Sequence, residues 1–456
     1  MHITFIYPAV GRKTNQPYVR SWQMEPLAIA LLSALTPNDI ETSFYDDRLE
    51  SIPYDIETDL VAISIETFTA LRGYRIAEEF RKRGRTIVFG GYHATLVPDE
   101  ARQHADAIVV GPAEPVWNQL LDDFQNEELQ KVYSSETSPK DIDVTPDRTI
   151  FQEKDYLKVR LVEFSRGCRR NCEFCSIAAF SGRRQHARPA EVVAEEMRSL
   201  GAKNFFVVDD NVAGNRERIR ELAEAIAPLN IRWIGQTDIT AGQDPELLKL
   251  LKKSGCQGLL IGMESLDDAN LKAMGKTWNH KIGNDKNASY AELLRPFKEN
   301  NLAIYGTFLF GYQQDDEASI RKSVQFAIEQ KLFLAAFNHL VPFPGTPVYN
   351  RLKIEERLDS DAWWLDPETK MGQVYFEPYL MSKDALEEAC YDARKTFFGW
   401  KSIVKRLWNI KANFSSLRRG TLFLAVNAMS QHDIARRQGL LLGESPVDEA
   451  AEASHG

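Results

Sequence analysis

Three cysteines, Cys168, Cys172 and Cys175, lie close together in the sequence and form the pattern C-x3-C-x2-C. Three thiolates on one short loop can ligate three irons of a [4Fe–4S] cluster, and the fourth iron then stays open because no fourth cysteine lies nearby. The alternative is a zinc site completed by His186 or Cys256. Structural zinc usually takes four ligands from two short clusters, and a second cluster is missing here. The spacing therefore favours an iron–sulfur cluster.

The remaining two of the five cysteines, Cys256 and Cys390, lie far from this cluster in the sequence. Cys256 precedes an apolar strand and Cys390 lies on the apolar stripe of a helix, so we expect both to be core residues. An odd and locally clustered set of cysteines is a poor disulfide framework, which predicts a reducing compartment. The first residues lack the basic start and apolar core of a secretory signal, so we expect a cytoplasmic protein.

The composition is that of a globular protein, with 43% apolar and 27% charged residues. The 56 Lys and Arg against 65 Asp and Glu give a formal charge of −9, which argues against general binding to nucleic acid. The longest apolar stretches, such as 422–429, are far shorter than the roughly 20 residues that cross a bilayer. A chain of 456 residues is expected to form two or three domains.

The first third of the chain alternates short β-branched runs with longer segments of helical periodicity. This pattern is typical of a doubly wound α/β domain, in which a parallel sheet carries helices on both faces. Five strands are predicted, near 3–7, 40–45, 60–65, 86–90 and 107–110. A polar segment, 122–147, contains Ser, Thr and Pro breakers, so we place this Rossmann-like domain at 1–148.

A second series of strands and helices follows, and the cysteine cluster comes directly after its first strand. The six predicted strands lie near 161–165, 204–208, 231–236, 258–262, 302–309 and 334–341. Six such units predict a partial (β/α)6 barrel of the TIM type over 149–360, with its chemistry at the carboxyl ends of the strands. Helical periodicity then predicts a helical C-terminal region over 361–444. The last residues, 445–456, are small or acidic and are predicted to be a disordered tail.

The cysteine motif, with the aromatic Phe174 just before its last cysteine, resembles the signature of the radical S-adenosylmethionine (radical SAM) superfamily. The resemblance implies that Cys168, Cys172 and Cys175 hold a [4Fe–4S] cluster and that the amino and carboxylate groups of SAM chelate the fourth iron. One electron, from a donor such as flavodoxin or ferredoxin, would then cleave SAM. The resulting 5′-deoxyadenosyl radical abstracts hydrogen from an unactivated carbon of a small-molecule substrate, and Phe174 is implied to lie beside the cofactor.

Later strand ends extend the resemblance. Asp209 follows the second barrel strand, where the family places contacts to the SAM amino group, although the usual Gly-Gly-Glu form is absent. Gln236 ends the third strand and Glu264 ends the fourth, where family members place a carboxylate beside the SAM ribose or its amino acid part. Gly306 resembles the glycine that lets the fifth strand approach adenine. The alternative for Asp209 and Glu264 is a salt-bridge partner or a helix cap.

An α/β domain ahead of a radical SAM core resembles the cobalamin-binding domain of one branch of the superfamily. The implied contacts are Ser64 and Thr67 after the third strand, Gly90 and Gly91 after the fourth, and Gly111 after the fifth. Glycines at strand ends allow a macrocycle or a nucleotide tail to lie close to the backbone. The D-x-H-x-x-G motif that supplies a histidine to cobalt is absent, so a histidine-ligated cobalt is not expected. A vestigial domain without cobalamin is the alternative.

The resemblance as a whole implies a cobalamin-dependent radical SAM enzyme, and C-methylation of a secondary-metabolite, lipid or tetrapyrrole-type substrate is the most concrete interpretation. Two alternatives remain open. The first is a radical SAM cyclase, hydroxylating or rearranging enzyme without methyl transfer. The second is an iron–sulfur or cobalamin sensor, although no helix-turn-helix motif is evident. No nucleic-acid partner is expected.

The segment 401–420 carries six basic residues and no acidic residue, a local charge of +6. Its apolar residues are interleaved with these charges, as in an amphipathic segment that rests on an anionic membrane and collects a lipophilic substrate. The pattern therefore predicts peripheral membrane contact through residues such as Lys405 and Arg406. The alternative is a basic helix that caps the barrel with its apolar face buried.

Overall fold

The computed structural model describes residues 1–11, 18–19, 23–135, 143–279, 290–409 and 412–443. These residues form two compact units. The first unit contains Met1–Lys158, Ser360–Gln373 and the described residues from Arg436 onward, and the second contains Val159–Asp359 and Val374–Ala435. The predicted helical region 361–444 thus contributes to both units. The predicted disordered tail, 445–456, lies outside the described residues.

The first unit contains a six-stranded parallel sheet with the order β2-β1-β3-β4-β5-β6. Its strands are β1 (His2–Tyr7), β2 (Glu41–Asp46), β3 (Leu60–Ser64), β4 (Thr86–Gly90), β5 (Ala107–Val110) and β6 (Val132–Ser134). The five predicted strands are confirmed, and β6 is an addition inside the polar segment 122–147. Three residues are too few to show a periodicity, and β6 is identified only by its pairing with β5.

Helices cover both faces of this sheet. They are α1 (Leu27–Leu35), α2 (Ala70–Lys82), α3 (Tyr92–Leu96), α4 (Pro98–Ala101) and α5 (Trp117–Gln125). The central strands β1 and β3 bury nearly every residue, as parallel strands between two helical layers must. Trp117 on α5 is buried against Phe5, and its indole N–H donates to the Thr36 hydroxyl. The strand order reverses at β1, which places the ligand-binding edge of a doubly wound sheet at the carboxyl ends of β1 and β3.

A segment from far along the chain, Ser360–Gln373, completes the first unit. Trp363 packs on Phe68 with ring centroids 5.6 Å apart, and the Trp364 indole N–H donates to Glu100 at 3.0 Å. Both tryptophans are buried. A chain that starts near Thr149 would therefore leave two large aromatic side chains without their partners, so the first unit is not separable by a single cut.

The second unit is built on a six-stranded parallel sheet in which the strands follow one another in chain order. The eight strands of the unit are β7 (Arg160–Val162), β8 (Ser165–Gly167), β9 (Gln185–Ala187), β10 (Asn204–Val207), β11 (Arg232–Asp238), β12 (Cys256–Glu264), β13 (Ala303–Phe310) and β14 (Leu334–His339). The sheet consists of β7 and β10 to β14, and β8 and β9 are two further strands. The strands β8 and β9 form a separate antiparallel pair. The order β7-β10-β11-β12-β13-β14 confirms the predicted partial (β/α)6 barrel.

The helices of the second unit alternate with these strands and then continue beyond them. They are α6 (Ser176–Ser181), α7 (Ala190–Ser199), α8 (Arg216–Ile226), α9 (Pro245–Lys253), α10 (Asp268–Ala273), α11 (Tyr290–Glu299), α12 (Glu317–Glu329), α13 (Pro347–Ile354), α14 (Lys383–Phe398), α15 (Trp400–Leu407) and α16 (Leu417–Arg437). Among the described helices, none has the length and apolar character needed to cross a membrane.

The two faces of the barrel strands differ in burial. On β13, Phe308 is buried, and it stacks on Phe337 of β14, which packs against α14. The intervening residues Tyr305 and Thr307 remain partly accessible. Side chains alternate between the faces of a strand, so this pattern shows one face packed on helices and a second, concave face that is open.

Candidate active site

The three cysteines lie on one loop between β8 and α6, at the carboxyl end of β7. None of them is in a disulfide, and all three are half-buried. Burial raises the pKa of each thiol, that of Cys172 to about 12, so the bare thiols favour their protonated form. A bound metal reverses this preference because it deprotonates the thiols that coordinate it.

A buried aspartate anchors the backbone that leads into this loop. The Asp209 carboxylate accepts hydrogen bonds from the Phe164 N–H at 2.8 Å and from the Ser165 hydroxyl at 2.5 Å. The side chain is fully buried, and this burial raises the pKa of its carboxyl to about 7. Both carboxylate oxygens of Asp209 are therefore used inside the protein, in contrast to the predicted contact with SAM.

The next residue, Asp210, is more exposed than Asp209 and lies beside the cysteine loop. Its carboxylate accepts a hydrogen bond from the Gly167 N–H at 2.7 Å, one residue before the first cysteine, and the side chain is only half-buried. Burial raises the pKa of Asp210 to about 6. Asp209, the predicted residue of this pair, and Asp210 point in different directions because side chains alternate at a strand end.

Replacement of Asp209 by Asn should change how stability depends on pH. The folded-state pKa of about 7 lies above the unfolded value of about 3.9, so the bound proton favours folding below about pH 4 and this contribution is lost as the pH rises to 7. An asparagine at residue 209 can still accept a hydrogen bond from the Phe164 N–H and can donate one to the Ser165 hydroxyl. Its side chain cannot ionise. Wild type should therefore lose up to about 4 kcal/mol relative to Asp209→Asn between these limits.

Denaturant midpoints of the cluster-free wild type and Asp209→Asn, measured from pH 4.5 to 8, check this prediction. The curves should converge toward low pH and run parallel above pH 7. A constant difference over the whole range would show that Asp209 titrates normally.

Polar side chains tie the cysteine loop to the next two strand ends. Asn211, after β10, points its amide nitrogen at the Cys168 Sγ at 3.9 Å and donates to Asp238 of β11 at 2.9 Å. Arg170, inside the loop, also donates to Asp238 at 2.9 Å and lies 4.6 Å from the Trp278 ring. Burial acts to raise the pKa of Asp238, but the Arg170 charge and its hydrogen bonds hold it below the ordinary value.

A buried ion pair lies at the carboxyl end of β12. The Lys276 ammonium donates to Glu264 Oε1 at 2.7 Å and to the Gly262 carbonyl at 2.8 Å. Thr307 of β13 lies 3.4 Å from the other Glu264 oxygen. Glu264 has a φ of 64°, in the left-handed region that glutamate rarely adopts. The Glu264 carboxylate is thus held in place by Lys276, which no motif in the sequence identifies.

The segment that carries Lys276 packs directly on the cysteine loop. The Glu173 N–H donates to the Met274 carbonyl at 3.0 Å. Gly275 has a φ of 70°, and a Cβ at this residue would lie 2.4 Å from the Asn171 carbonyl oxygen. The close approach of these two backbones therefore requires glycine at 275. Through this contact, Lys276 comes close enough to Cys172 to lower the pKa of that thiol, against the larger effect of burial.

The remaining predicted residues of the barrel lie as follows. Phe174 is partly buried and packs against the hydrophobic core. Gln236 is half-buried on β11, and its carbonyl accepts a hydrogen bond from the Val212 N–H at 2.9 Å. A Cβ at Gly306 would meet Leu332 at 2.7 Å and Met263 at 3.1 Å. Core packing therefore accounts for this glycine.

The predicted residues of the first unit gather at the carboxyl edge of its sheet. Ser64 and Gly90 end β3 and β4. Gly91 has a φ of 97°, and its Cβ would lie 2.6 Å from the Ile65 carbonyl oxygen. Gly111 has a φ of 88°, and its Cβ would lie 2.4 Å from the Ser135 carbonyl oxygen. These two glycines allow neighbouring loops to approach each other.

Two polar side chains that the sequence analysis left without a role lie at the reversal of strand order. Arg48 pairs with Asp46 at 2.6 Å and lies 4.5 Å from the Tyr7 ring. Glu66 retains exposed surface, yet the protein atoms around it raise the pKa of its carboxyl, although Arg48 acts to lower it. Glu66 stands where doubly wound sheets bind their ligands, so the edge fits a cofactor.

The three histidines of 1–158 are all engaged inside the first unit. His93 is fully buried, with Nε2 2.9 Å from Glu100 and Nδ1 3.4 Å from the Thr67 hydroxyl. His104 stacks on Tyr74 at 4.0 Å, and His2 lies 2.5 Å from the Glu57 carbonyl oxygen. That cobalt has no histidine ligand stays a prediction from the missing D-x-H-x-x-G motif. Thr67 is in a buried contact with His93.

The cysteine loop provides three thiols, the donor set of a [4Fe–4S] cluster with one open iron. Cys256 begins β12, at the opposite end of the barrel from the loop, so it cannot complete a zinc site there. Within the described parts of the chain, no three His, Cys, Asp or Glu side chains are close enough to hold one metal ion. A zinc ion needs sulfurs within about 4 Å of one another because each Zn–S bond is about 2.3 Å long. The thiolates of a [4Fe–4S] cluster bind separate irons and are more widely spaced.

Two features define the class of this protein. They are a partial parallel barrel with a three-cysteine loop after its first strand, and a doubly wound unit. Both are typical of the radical SAM enzymes with a cobalamin-type domain. A sequence model of the radical SAM superfamily matches residues 162–326. The bacteriochlorophyllide d C-8(2)-methyltransferase of Chlorobaculum tepidum is 31% identical over 356 residues, which are 74% of this chain and 78% of that protein. The chain belongs to the radical SAM superfamily, in its cobalamin-binding-domain branch, and is an enzyme.

Two further comparisons agree with this assignment. The bacteriochlorophyllide d C-12(1)-methyltransferase of the same organism is 28% identical over 396 residues, 84% of each chain. The structure of the cobalamin-dependent S-adenosylmethionine radical enzyme OxsB, with aqua-cobalamin and S-adenosylmethionine bound, superposes with a TM-score of 0.66. That match covers 95% of this chain and 71% of OxsB at 14% identity, so it establishes a shared fold.

Proposed function

We propose that this protein is a cobalamin-dependent radical SAM C-methyltransferase that acts on an unactivated carbon of a hydrophobic tetrapyrrole-type substrate. The observation that carries the proposal is the three-cysteine loop at the open carboxyl edge of the barrel, in a chain similar over 74% of its length to a bacteriochlorophyllide methyltransferase. We place its action in the cytoplasm, with a flavodoxin or ferredoxin as electron donor.

Cys168, Cys172 and Cys175 would hold the [4Fe–4S] cluster, and the carboxyl edge of the first unit, with Glu66, would hold cobalamin. When bound, the cluster and SAM supply a 5′-deoxyadenosyl radical, and cobalamin supplies the methyl group. Asp210 replaces Asp209 as our candidate for the SAM amino group because its carboxylate is accessible and lies beside the loop.

The chain's own contribution is to position the reactants and exclude water. Lys276 holds the Glu264 carboxylate in one orientation at the edge where SAM would bind. The open concave face carries partly accessible side chains that are mainly apolar or amide. They include Ile234, which is 44% exposed in the middle of β11, and Asn338, which is exposed on β14. Such a lining suits a large apolar ring with few polar groups, and filling it removes water from the reacting carbon.

The test is the mass of the product. Protein reconstituted with iron, sulfide, SAM, cobalamin and a reductant should convert a bacteriochlorophyllide-type tetrapyrrole to a product heavier by one CH2 group. With SAM labelled as trideuteriomethyl, all three deuterons should appear in that product. A product with an unchanged carbon count would favour the cyclase or rearrangement alternative. A protein that binds the cofactors without turnover would favour a sensor.

A further inference from the structure

Helix α15 exposes an apolar stripe. Trp400 and Trp408 are 58% and 70% exposed, and Val404 lies between them at the four-residue spacing that places all three on one side of the helix. Ile403 and Arg406, on the opposite side, are fully buried. Two exposed tryptophans on one helical face are unusual for a surface that meets only water, because indole rings gain much from burial.

Exposed apolar side chains also occur on α16 and in the turn before it. Phe414, Leu417, Leu422 and Met429 are all exposed, and Leu417 is 76% exposed. Both helices bury their inner faces on the same residue, Phe333, through Ile403 of α15 and Phe423 of α16. The two helices therefore pack on the same part of the second unit. We call Trp400, Val404, Trp408, Phe414, Leu417, Leu422 and Met429 the aromatic stripe.

The stretch of sequence that carries the aromatic stripe is basic. Residues 393–432 contain eight Lys and Arg and no Asp or Glu, on a chain whose formal charge is −9. Lys401 and Lys405 are exposed on α15 beside the tryptophans, and Arg418 is exposed beside Leu417. A basic rim around exposed indole rings is the pattern of a surface that binds anionic headgroups.

Arg406, which the sequence analysis grouped with Lys405, does not belong to this rim. Its guanidinium is buried and donates to the Leu332, Phe333 and Phe397 carbonyls at 2.9–3.1 Å and to Asn427 at 2.8 Å. It also lies 3.8 Å from the Phe397 ring. Arg406 therefore joins α15 to the rest of the unit. One face of α15 therefore packs on the second unit, as the alternative of a capping helix expects, and the opposite face is exposed.

We propose that the aromatic stripe rests on an anionic lipid bilayer, with the indole rings at the headgroup level and Lys401, Lys405 and Arg418 against the phosphates. A second copy of this chain is a poorer occupant. A two-fold dimer through this surface would oppose the basic rim with itself, which costs free energy through like-charge repulsion. The proposal is independent of which substrate the enzyme methylates.

Co-sedimentation of the full-length protein with phosphatidylglycerol–phosphatidylcholine vesicles tests the proposal. Wild type should bind these vesicles at low salt, be released at high salt and bind pure phosphatidylcholine weakly. Lys401→Glu with Lys405→Glu should lower the partition coefficient roughly thirtyfold or more, since each basic residue contributes about 1 kcal/mol at such a surface. Trp400→Ser with Trp408→Ser should also lower the partition coefficient. All four substituted residues are exposed, so folding should be unaffected.

Matched controls come from the same unit. Lys253→Glu with Lys322→Glu reverses two exposed lysines, and Ile354→Ser with Leu380→Ser removes two exposed apolar side chains, all outside the stripe. Both control variants should bind like wild type. Absence of vesicle binding by wild type, or an equal loss in the control variants, would overturn the proposal. A third outcome is that wild type forms a dimer and does not bind vesicles, while the variant Trp400→Ser with Trp408→Ser is a monomer. This result would overturn the proposal and assign the aromatic stripe to contact with a second copy of the chain.

Discussion

Replacement of Cys168, Cys172 or Cys175 by alanine, one at a time, is expected to abolish both cluster assembly and the formation of 5′-deoxyadenosine from SAM. Each thiolate would hold a different iron, so the loss of one leaves a second iron without its protein ligand. Anaerobically reconstituted wild type should contain about four irons and four sulfides per chain. Iron and sulfide analysis, with chromatography of the SAM-derived products, measures both effects.

The other two cysteines provide the control. Cys256 and Cys390 are fully buried in the core of the second unit, away from the loop. Cys390→Ala should keep its full iron content and its 5′-deoxyadenosine formation, and should lose only the modest packing energy of a small side chain. An active protein with stoichiometric zinc, or a loop variant that retains its iron, would contradict this assignment.

Replacement of Lys276 by Met should have the second largest effect. Both partners of the Lys276–Glu264 pair are buried, and removal of one partner leaves an uncompensated charge. Such a loss typically destabilises a protein by about 3–5 kcal/mol. Burial acts to lower the pKa of Lys276, but the Glu264 carboxylate keeps it above the ordinary value, so Lys276 is charged at neutral pH. Because Lys276 also holds the Glu264 carboxylate, SAM affinity should fall in parallel.

An exposed ion pair offers a matched comparison. Lys249 lies 2.7 Å from Glu246 on the surface of α9, and both side chains are more than half exposed. Lys249→Met should therefore change stability by about 0.5 kcal/mol or less. The double variant Lys276→Met with Glu264→Gln should regain much of the stability that Lys276→Met loses, but not its SAM binding. Denaturant unfolding measures the effect on stability, and SAM titration measures the effect on SAM binding. Equal stability of Lys276→Met and Lys249→Met would contradict the account.

Much of the architecture follows from local sequence patterns. The strands of both sheets are runs of β-branched and apolar residues bounded by polar turns, so their order along the chain predicts two parallel β/α systems. The cysteine motif is equally local because its ligands fall within eight residues. The same locality explains why Phe174, next to the last cysteine, was placed on the loop without any knowledge of the fold.

Other features depend on contacts between distant parts of the chain. Trp364 reaches Glu100 across 264 residues, so no local pattern could assign Ser360–Gln373 to the first unit. Lys276 is identified only by the salt bridge it makes with Glu264.

The different roles of neighbouring residues with similar side chains were the hardest to predict from the sequence. Asp209 and Asp210 are adjacent carboxylates, and only burial shows which is committed to the backbone and which is accessible. Lys405 and Arg406 are likewise adjacent charges on opposite faces of one helix. The sequence records the charge of such a pair but not the face on which each member lies.

The central claim, radical methyl transfer, is tested most directly by the fate of SAM in the reconstituted enzyme. Two SAM molecules serve each methylation, so S-adenosylhomocysteine and 5′-deoxyadenosine should accumulate together, in equal amounts, when cobalamin and a tetrapyrrole substrate are present. Omission of cobalamin should suppress S-adenosylhomocysteine. Formation of 5′-deoxyadenosine alone, at an undiminished rate and without S-adenosylhomocysteine, would contradict the claim.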